Sequence, residues 1–277
     1  MLDLIKELFS YSFIVRALMV GVMVALVSSL LGVSLVLKRY SMIGDGLSHV
    51  GFASLAIAMA LGLAPLQVSI PTVVLAAFLL LHISENSKIK GDAAIALISS
   101  SALAIGVIMV AVTTGMNTDV CNYMFGSILA MKISDVFLSI SLSIVVLILY
   151  IVFYNKIFAI TFDESFARAT GIKAGRYNML IALLTALTIV IGMRMMGALL
   201  ISSLIIFPAL TSMRVFGSFK AVVVCSAILS VSCFFIGIAT SFAFSIPAGA
   251  SVVAVNIITF ITFTVIGELK KRVGVLA

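Results

Sequence analysis

Charge is what this chain of 277 residues has least of: Asp, Glu, Lys and Arg make up 10% of it, against 63% apolar residues and a mean hydropathy of +1.35. A water-soluble globule could not hide so much hydrocarbon, so lipid must cover the remainder. Histidine is nearly as scarce, with His49 and His82 the two in the chain. No HExxH stretch occurs, which sets aside an intramembrane metalloenzyme. Cys121, Cys225 and Cys233 lack CxxC spacing, and the last two lie in one apolar run, where they read as small packing residues. No GxxxxGK followed by Ser or Thr occurs either, and no soluble stretch has room for a nucleotide fold, so any nucleotide energy must come from another polypeptide. The start carries Asp3, Lys6 and Glu7 in place of a clean positive region, and no small-residue cleavage site follows, so a retained N-terminus is expected.

The formal charge is +7, but the basic residues sit singly or in short groups between apolar runs with no aromatics interleaved. That pattern excludes nucleic acid as a partner and fits membrane orientation. Apolar runs read against punctuation give nine candidate spans: Ala17–Leu37, Ser48–Leu63, Val68–Leu81, Ala93–Thr113, Val136–Tyr154, Met179–Met193, Met195–Met213, Ala221–Phe244 and Ala250–Ile266. The expected fold is therefore all-α, a polytopic bundle of eight or nine spans. The second and sixth runs are short enough to suggest a start in a loop or an interruption. With the C-terminus inside and spans alternating, all but Lys6, Arg16, Lys132 and Arg194 of the 17 basic residues fall on the cytoplasmic side. The N-terminus is then outside.

The longest strongly polar connection runs over residues 155–176. Thr161 and Glu164 have capping-box spacing, Phe162 and Phe166 share a helical face, and Gly171 is placed to end the helix. A short amphipathic helix of about ten residues is predicted. Such a helix can rest on headgroups or dock on a soluble partner, and the mixed charge of Asp163, Glu164 and Arg168 favours docking.

The most informative stretch is KRYSMIGDGLSHVG, Lys38 to Gly51. Asp45 and His49 are four apart, so on a helix they lie about 40° apart in azimuth and about 6 Å apart along the axis. Ionisable residues within a membrane helix are costly and mark functional paths by default. A carboxylate and an imidazole suit zinc and manganese alike. Ser41 and Ser48 are candidates to orient the ligands or line the path, and Gly44, Gly46 and Gly51 would let neighbouring backbone come close. The competing reading makes Asp45 the cap of the second span and His49 a residue satisfied by a neighbour. Two ligands do not complete a four-coordinate shell, so water, other helices or a second copy would supply the rest. His82 reads as an interfacial histidine, and Asn256 as a hydrogen bond between helices. Met193, Met195 and Met196 read as adaptable packing, and Arg194 as a helix-end anchor or an electrostatic barrier in the path.

Five segments, in order, resemble the membrane permeases of bacterial ABC importers for zinc and manganese. They are Leu35–Gly62, DVCNYMFGSILA at 119–130, FDESFARATGIK at 162–173, GALLISSLIIFPAL at 197–210, and PAGASVV at 247–253. The resemblance implies a single permease domain over residues 1–277 in the bacterial plasma (inner) membrane. It implies pairing with a second copy and with cytoplasmic ABC ATPase subunits that hold the ATP, and delivery of metal by an extracellular or periplasmic binding protein. It also implies that Asp45 and His49 are the metal ligands. The segment 155–176 would couple to the ATPase through Phe162, Asp163, Glu164, Phe166, Ala167, Arg168 and Gly171. GDGLSHVGF looks closer to the zinc permeases than to those for manganese. No permanently bound cofactor is expected; Zn2+ or Mn2+ is cargo. An ATP-independent secondary transporter or channel is the other class, but acidic residues within spans are sparse for a coupling-ion site.

Overall fold

The computed structural model describes residues 12–86, 91–113 and 133–272, and among these the chain forms eleven helices and no strand. They are α1 Ser12–Leu37, α2 Ile43–Ala60, α3 Pro65–Asn86, α4 Gly91–Thr113, α5 Ile133–Val152, α6 Tyr154–Phe162, α7 Glu164–Ala169, α8 Ala174–Met196, α9 Ala198–Met213, α10 Phe219–Phe244 and α11 Ala248–Arg272. Eight are long and apolar enough to cross a bilayer. The seventh apolar run became α9, whose 16 residues reach about 24 Å, short of the roughly 30 Å hydrocarbon core.

Three sequence expectations need correction. The second and sixth spans are unbroken helices that begin earlier than expected, at Ile43 and Ala174; at the second, close packing on Gly44 and Gly46 favours the early start. The seventh does not start at Met195: α8 runs on through Arg194 to Met196, and the break falls at Gly197. Gly197 sits at φ 85, ψ 158, a region open to glycine and to almost nothing else.

Burial separates an inner set of helices from an outer one. Of the membrane-length windows, those of α1, α2 and α8 are 72%, 72% and 67% buried, whereas those of α3, α4 and α11 are each 22%. Leu75, Leu97, Ile108, Phe137 and Ile258 stand on the outer surface, as lipid contact requires and water would not allow. Where α10 meets the inner helix α1, polar atoms act as glue: the Ser230 hydroxyl donates to the Ala25 carbonyl at 2.8 Å and that of Ser226 to the Ser29 carbonyl at 3.3 Å.

These contacts also set directions. Pairing of residues 29 with 226 and 25 with 230 makes α1 and α10 antiparallel. Gly46 faces Ile95 and Gly106 faces Phe52, so α2 and α4 run parallel and begin on one side. Lys38 meets Glu164, and Gly267 lies against the Arg214 carbonyl. The turns after α1 and around α7 therefore share a side, as do the ends of α9 and α11, in agreement with alternating spans.

Candidate functional site

The turn 38–42 that leads into α2 is tightly built. The Tyr40 N–H reaches the Leu35 carbonyl at 2.8 Å and the Arg39 N–H reaches that of Val36 at 3.1 Å, the paired bonds of a Schellman cap. Arg39 occupies the left-handed position usually given to glycine, at φ 62. The Ile43 N–H then returns to the Tyr40 carbonyl at 3.0 Å, and α2 begins with Met42 as a cap that makes no side-chain bond. Asp45 lies in the first helical turn, yet its carboxylate does not serve the cap. It faces His49, with Nε2 to Oδ2 at 3.5 Å. Asp45 thus makes no side-chain cap bond, although in the first turn its charge is favoured by the helix N-terminus and His49 has it as a neighbour.

That spacing is informative. Ligand atoms about 2.0–2.1 Å from a tetrahedral ion stand about 3.4 Å apart, so the two side chains need almost no rearrangement to share one divalent cation. Gly51, about 240° round the helix from Asp45, packs on Met193 and Val73. The pair therefore projects away from α3 and α8, onto a face where Asp45 is 45% and His49 20% exposed. An added Cβ at Gly46 would stand 2.7 Å from Ile95 Cγ2, so glycine is what lets α4 press against this end of α2. Among the described residues no group of three or more His, Cys, Asp or Glu gathers that could hold a metal.

Ser48 is fully buried and its hydroxyl donates to the Asp45 carbonyl at 2.7 Å, a bond to the backbone of α2 and not to the Asp45 or His49 side chain. Ser41 is half-buried in the turn before α2. Arg194 lies within α8, and its side chain is outside the described residues. His82 is exposed near the end of α3. Asn256 donates to Val252 of its own helix at 2.9 Å, a correction to the interhelical bond expected. Met193 and Met196 are buried, Met193 against Gly51. Cys233 is buried beside Thr259 and Cys225 is half-buried, both free; Cys121 and the segment 119–130 lie outside the described residues.

The polar connection contains two short helices where one of about ten residues was predicted. On α6, Tyr154, Phe158 and Phe162 gather round Phe219 at the start of α10, with centroids 5.7, 5.1 and 6.1 Å away. Thr161 gives its hydroxyl to the Ile157 carbonyl at 2.7 Å, so the expected capping box does not form. Asp163 takes that role: extended at φ −147, ψ 98, it ends α6 and accepts the Phe166 N–H at 2.9 Å to cap α7. A carboxylate at the immediate N-cap displaces a hydroxyl two residues earlier. At the other end Gly171, φ 86, closes α7 as expected, with the Ile172 N–H on the Ala167 carbonyl at 2.9 Å. Ala167 is fully buried and anchors α7, while Phe162 and Phe166 are 61% and 66% exposed.

Sequence reasoning missed what holds α7 from behind. Glu164 Oε2 lies 3.2 Å from Lys38 Nζ and accepts from Asn178 Nδ2 at 3.2 Å, and the Asn178 Oδ1 accepts from Lys38. Arg168 closes the outer side, donating to Glu164 Oε1 at 2.6 Å. Partial burial alone would raise the Glu164 pKa, but the hydrogen bonds from Arg168 and Asn178 and the charge of Lys38 outweigh it and hold it below the usual value. Lys38 and Glu164 are separated by 126 positions, so no local pattern announces the contact.

A helical, multi-pass membrane protein with an Asp–His pair inside one span and a knob of exposed aromatics on one side is the class so defined. Residues 10–267 match the ABC 3 transport family, and the chain belongs to it: it is a metal-ion permease subunit of a bacterial ABC importer. It is 30% identical to the manganese import system permease protein ScaB of Streptococcus gordonii, over 98% of this chain and 99% of that one. To the high-affinity zinc uptake system membrane protein ZnuB of Haemophilus influenzae it is 29% identical, over 88% and 94%. The solved structure of PsaBC from Streptococcus pneumoniae in complex with Fab superposes with a TM-score of 0.84 at 30% identity, covering 94% of each chain.

Proposed function

We propose that the whole chain acts as one permease unit that passes a divalent metal across the membrane at Asp45 and His49. The observation that carries this is the 3.5 Å approach of Nε2 and Oδ2 on a part-open face within a span. A charged pair left open to hydrocarbon would be strongly disfavoured, so water or protein must cover it. A second copy of the chain across a two-fold axis supplies both the cover and a matching pair, completing a four-ligand shell. Transit through such a site is transient, because tight holding would prevent inward release.

Energy comes from cytoplasmic ATPase subunits docked on the 155–176 segment, with Phe162 and Phe166 as the contacting side chains. Asp163, Glu164, Ala167, Arg168 and Gly171 build the helix that presents them. A binding protein delivers metal on the opposite face. Zinc is the cargo favoured by the GDGLSHVGF stretch. Manganese is the second reading, supported by the end-to-end likeness to a permease named for manganese import.

The test uses the complete importer in proteoliposomes, with zinc and manganese each offered on the binding protein. Asp45→Ala and His49→Ala are expected to reduce uptake by more than the roughly 10–100-fold lost when a group that merely orients a metal ligand is removed, while the protein still accumulates. The cargo is the ion whose loaded binding protein stimulates ATP hydrolysis. Unchanged uptake in both variants, or full uptake by the permease without its ATPase, would overturn the reading.

A further inference from the structure

We infer that the Lys38, Asn178 and Glu164 cluster is the link through which movement of α7 reaches the metal-bearing helix α2. The inference rests on the docking role proposed above for α7, and adds Lys38 and Asn178 as positioning residues that touch neither metal nor ATPase.

Three elements converge on one carboxylate. Glu164 stands in the first turn of α7, Asn178 in the second turn of α8, and Lys38 at the C-terminal end of α1. The Asn178 amide is used on both sides, its oxygen facing the ammonium and its nitrogen donating to the carboxylate, so its orientation is set by the two charges. Asn178 is buried and the Lys38 side chain is 11% exposed. An ammonium so placed is tolerable because Glu164 and Asn178 replace its water and because the end of α1 favours a cation. Were α7 to move without Lys38, a mostly buried charge would lose its partner. The two are therefore held to move together.

The short corner between Lys38 and α2 makes that movement useful. The Lys38 N–H holds the Ser34 carbonyl at 3.0 Å, Tyr40 holds Leu35, and Ile43 holds Tyr40, so residues 38–42 are braced along their length. Arg39 in the left-handed region shows how tightly the corner is wound. A displacement of Lys38 is passed to the first turn of α2, where Asp45 lies, and is not absorbed in slack chain. Asn178 provides a second arm, since α8 carries Met193 onto Gly51 of α2, half a turn past His49. Movement at α7 thus reaches both ends of the stretch that bears Asp45 and His49.

The experiment measures metal uptake and ATP hydrolysis in the same proteoliposomes holding the full importer, with zinc and manganese tried in turn. Lys38→Gln is expected to leave ATPase association and basal hydrolysis unchanged and to lower ions moved per ATP by about tenfold, within the roughly 5–150-fold span of a typical coupling between two sites. Lys38→Arg is expected to recover most of that ratio. Glu164→Gln should lower the ratio similarly, and the double variant should do no worse than the poorer single, because both remove one link. Losses that multiply in the double variant, a normal ratio in Lys38→Gln, or an Arg variant as defective as the Gln variant would each overturn the link. Should Lys38→Gln fail to accumulate, Asn178→Ala, which leaves both charges in place, takes its role under the same expectation and the same overturning result. Full ATPase affinity after loss of the Phe166 ring would instead defeat the docking reading itself, an outcome separable from any result at Lys38.

Discussion

Removing the ring of Phe166 tests the docking surface most directly, because the structure separates the contribution to binding from the contribution to folding. Phe166 is 66% exposed on α7, whereas its neighbour Ala167 is fully buried. Taking about 200 Å² for a phenylalanine side chain, roughly 130 Å² stands ready to be covered by a partner, worth about 3 kcal/mol at about 25 cal/mol per Å². Some of that ring stays in contact with α7 after docking, so about 2 kcal/mol, or roughly thirtyfold in affinity, is the expected loss for Phe166→Ala. The same change should leave permease stability within about 0.5 kcal/mol, since the ring contributes little to the fold. Ala167→Leu is the opposite case: it forces new atoms into a filled site and should destabilise by about 1–3 kcal/mol. The assay is titration of the ATPase subunit onto detergent-solubilised permease, with thermal unfolding measured on the same samples. An affinity within twofold of the parent for Phe166→Ala, with its melting curve unchanged, would refute the docking role.

Two further expectations concern the same segment. Because Glu164 is held below the usual carboxylate value, its contribution to the link between α7 and Lys38 is full above that value and is lost as pH falls through the lowered one, so the ions moved per ATP should hold at mildly acid pH and fall at strongly acid pH. Glu164→Gln should remove that pH dependence, and an acid profile identical in parent and variant would show that another group is responsible. Asp163→Ala should cost about 1 kcal/mol of helix stability through loss of the cap, seen as faster amide exchange across residues 164–169, while Thr161→Ala should leave that exchange nearly unchanged. Equal effects from the two would mean that the cap is misassigned.

The bundle was legible because its signal is repeated many times over: twenty or so apolar residues between charged turns can be little else. The helix starts were less so. Gly44 and Gly46 weaken a helix in water, which led the second span to be read from Ser48, yet in the bundle these glycines let α9 and α4 approach and so favour the helix they would otherwise break. Arg194 misled for a related reason. One charge in MRMMG looks like a boundary, but a single arginine does not end a helix; the glycine three residues later does, through a backbone angle that no composition count registers.

The candidate site divides along the same line. Asp45 and His49 were found because their spacing is local, and a period of four on a helix needs no knowledge of the rest of the chain. Asp163 was not read as the cap because Thr161 and Glu164 have capping-box spacing, whereas three-dimensional packing of α6 on Phe219 decides where that helix ends. Lys38 was counted as one more basic residue setting orientation. Its pairing with Glu164 depends on where α1 ends, how α8 begins and how α7 turns back, three separate facts that meet only in space. A charge that orients a membrane protein can remain in water; one that is mostly covered and held by two partners has been given a further task, and burial rather than sequence is what distinguishes the two.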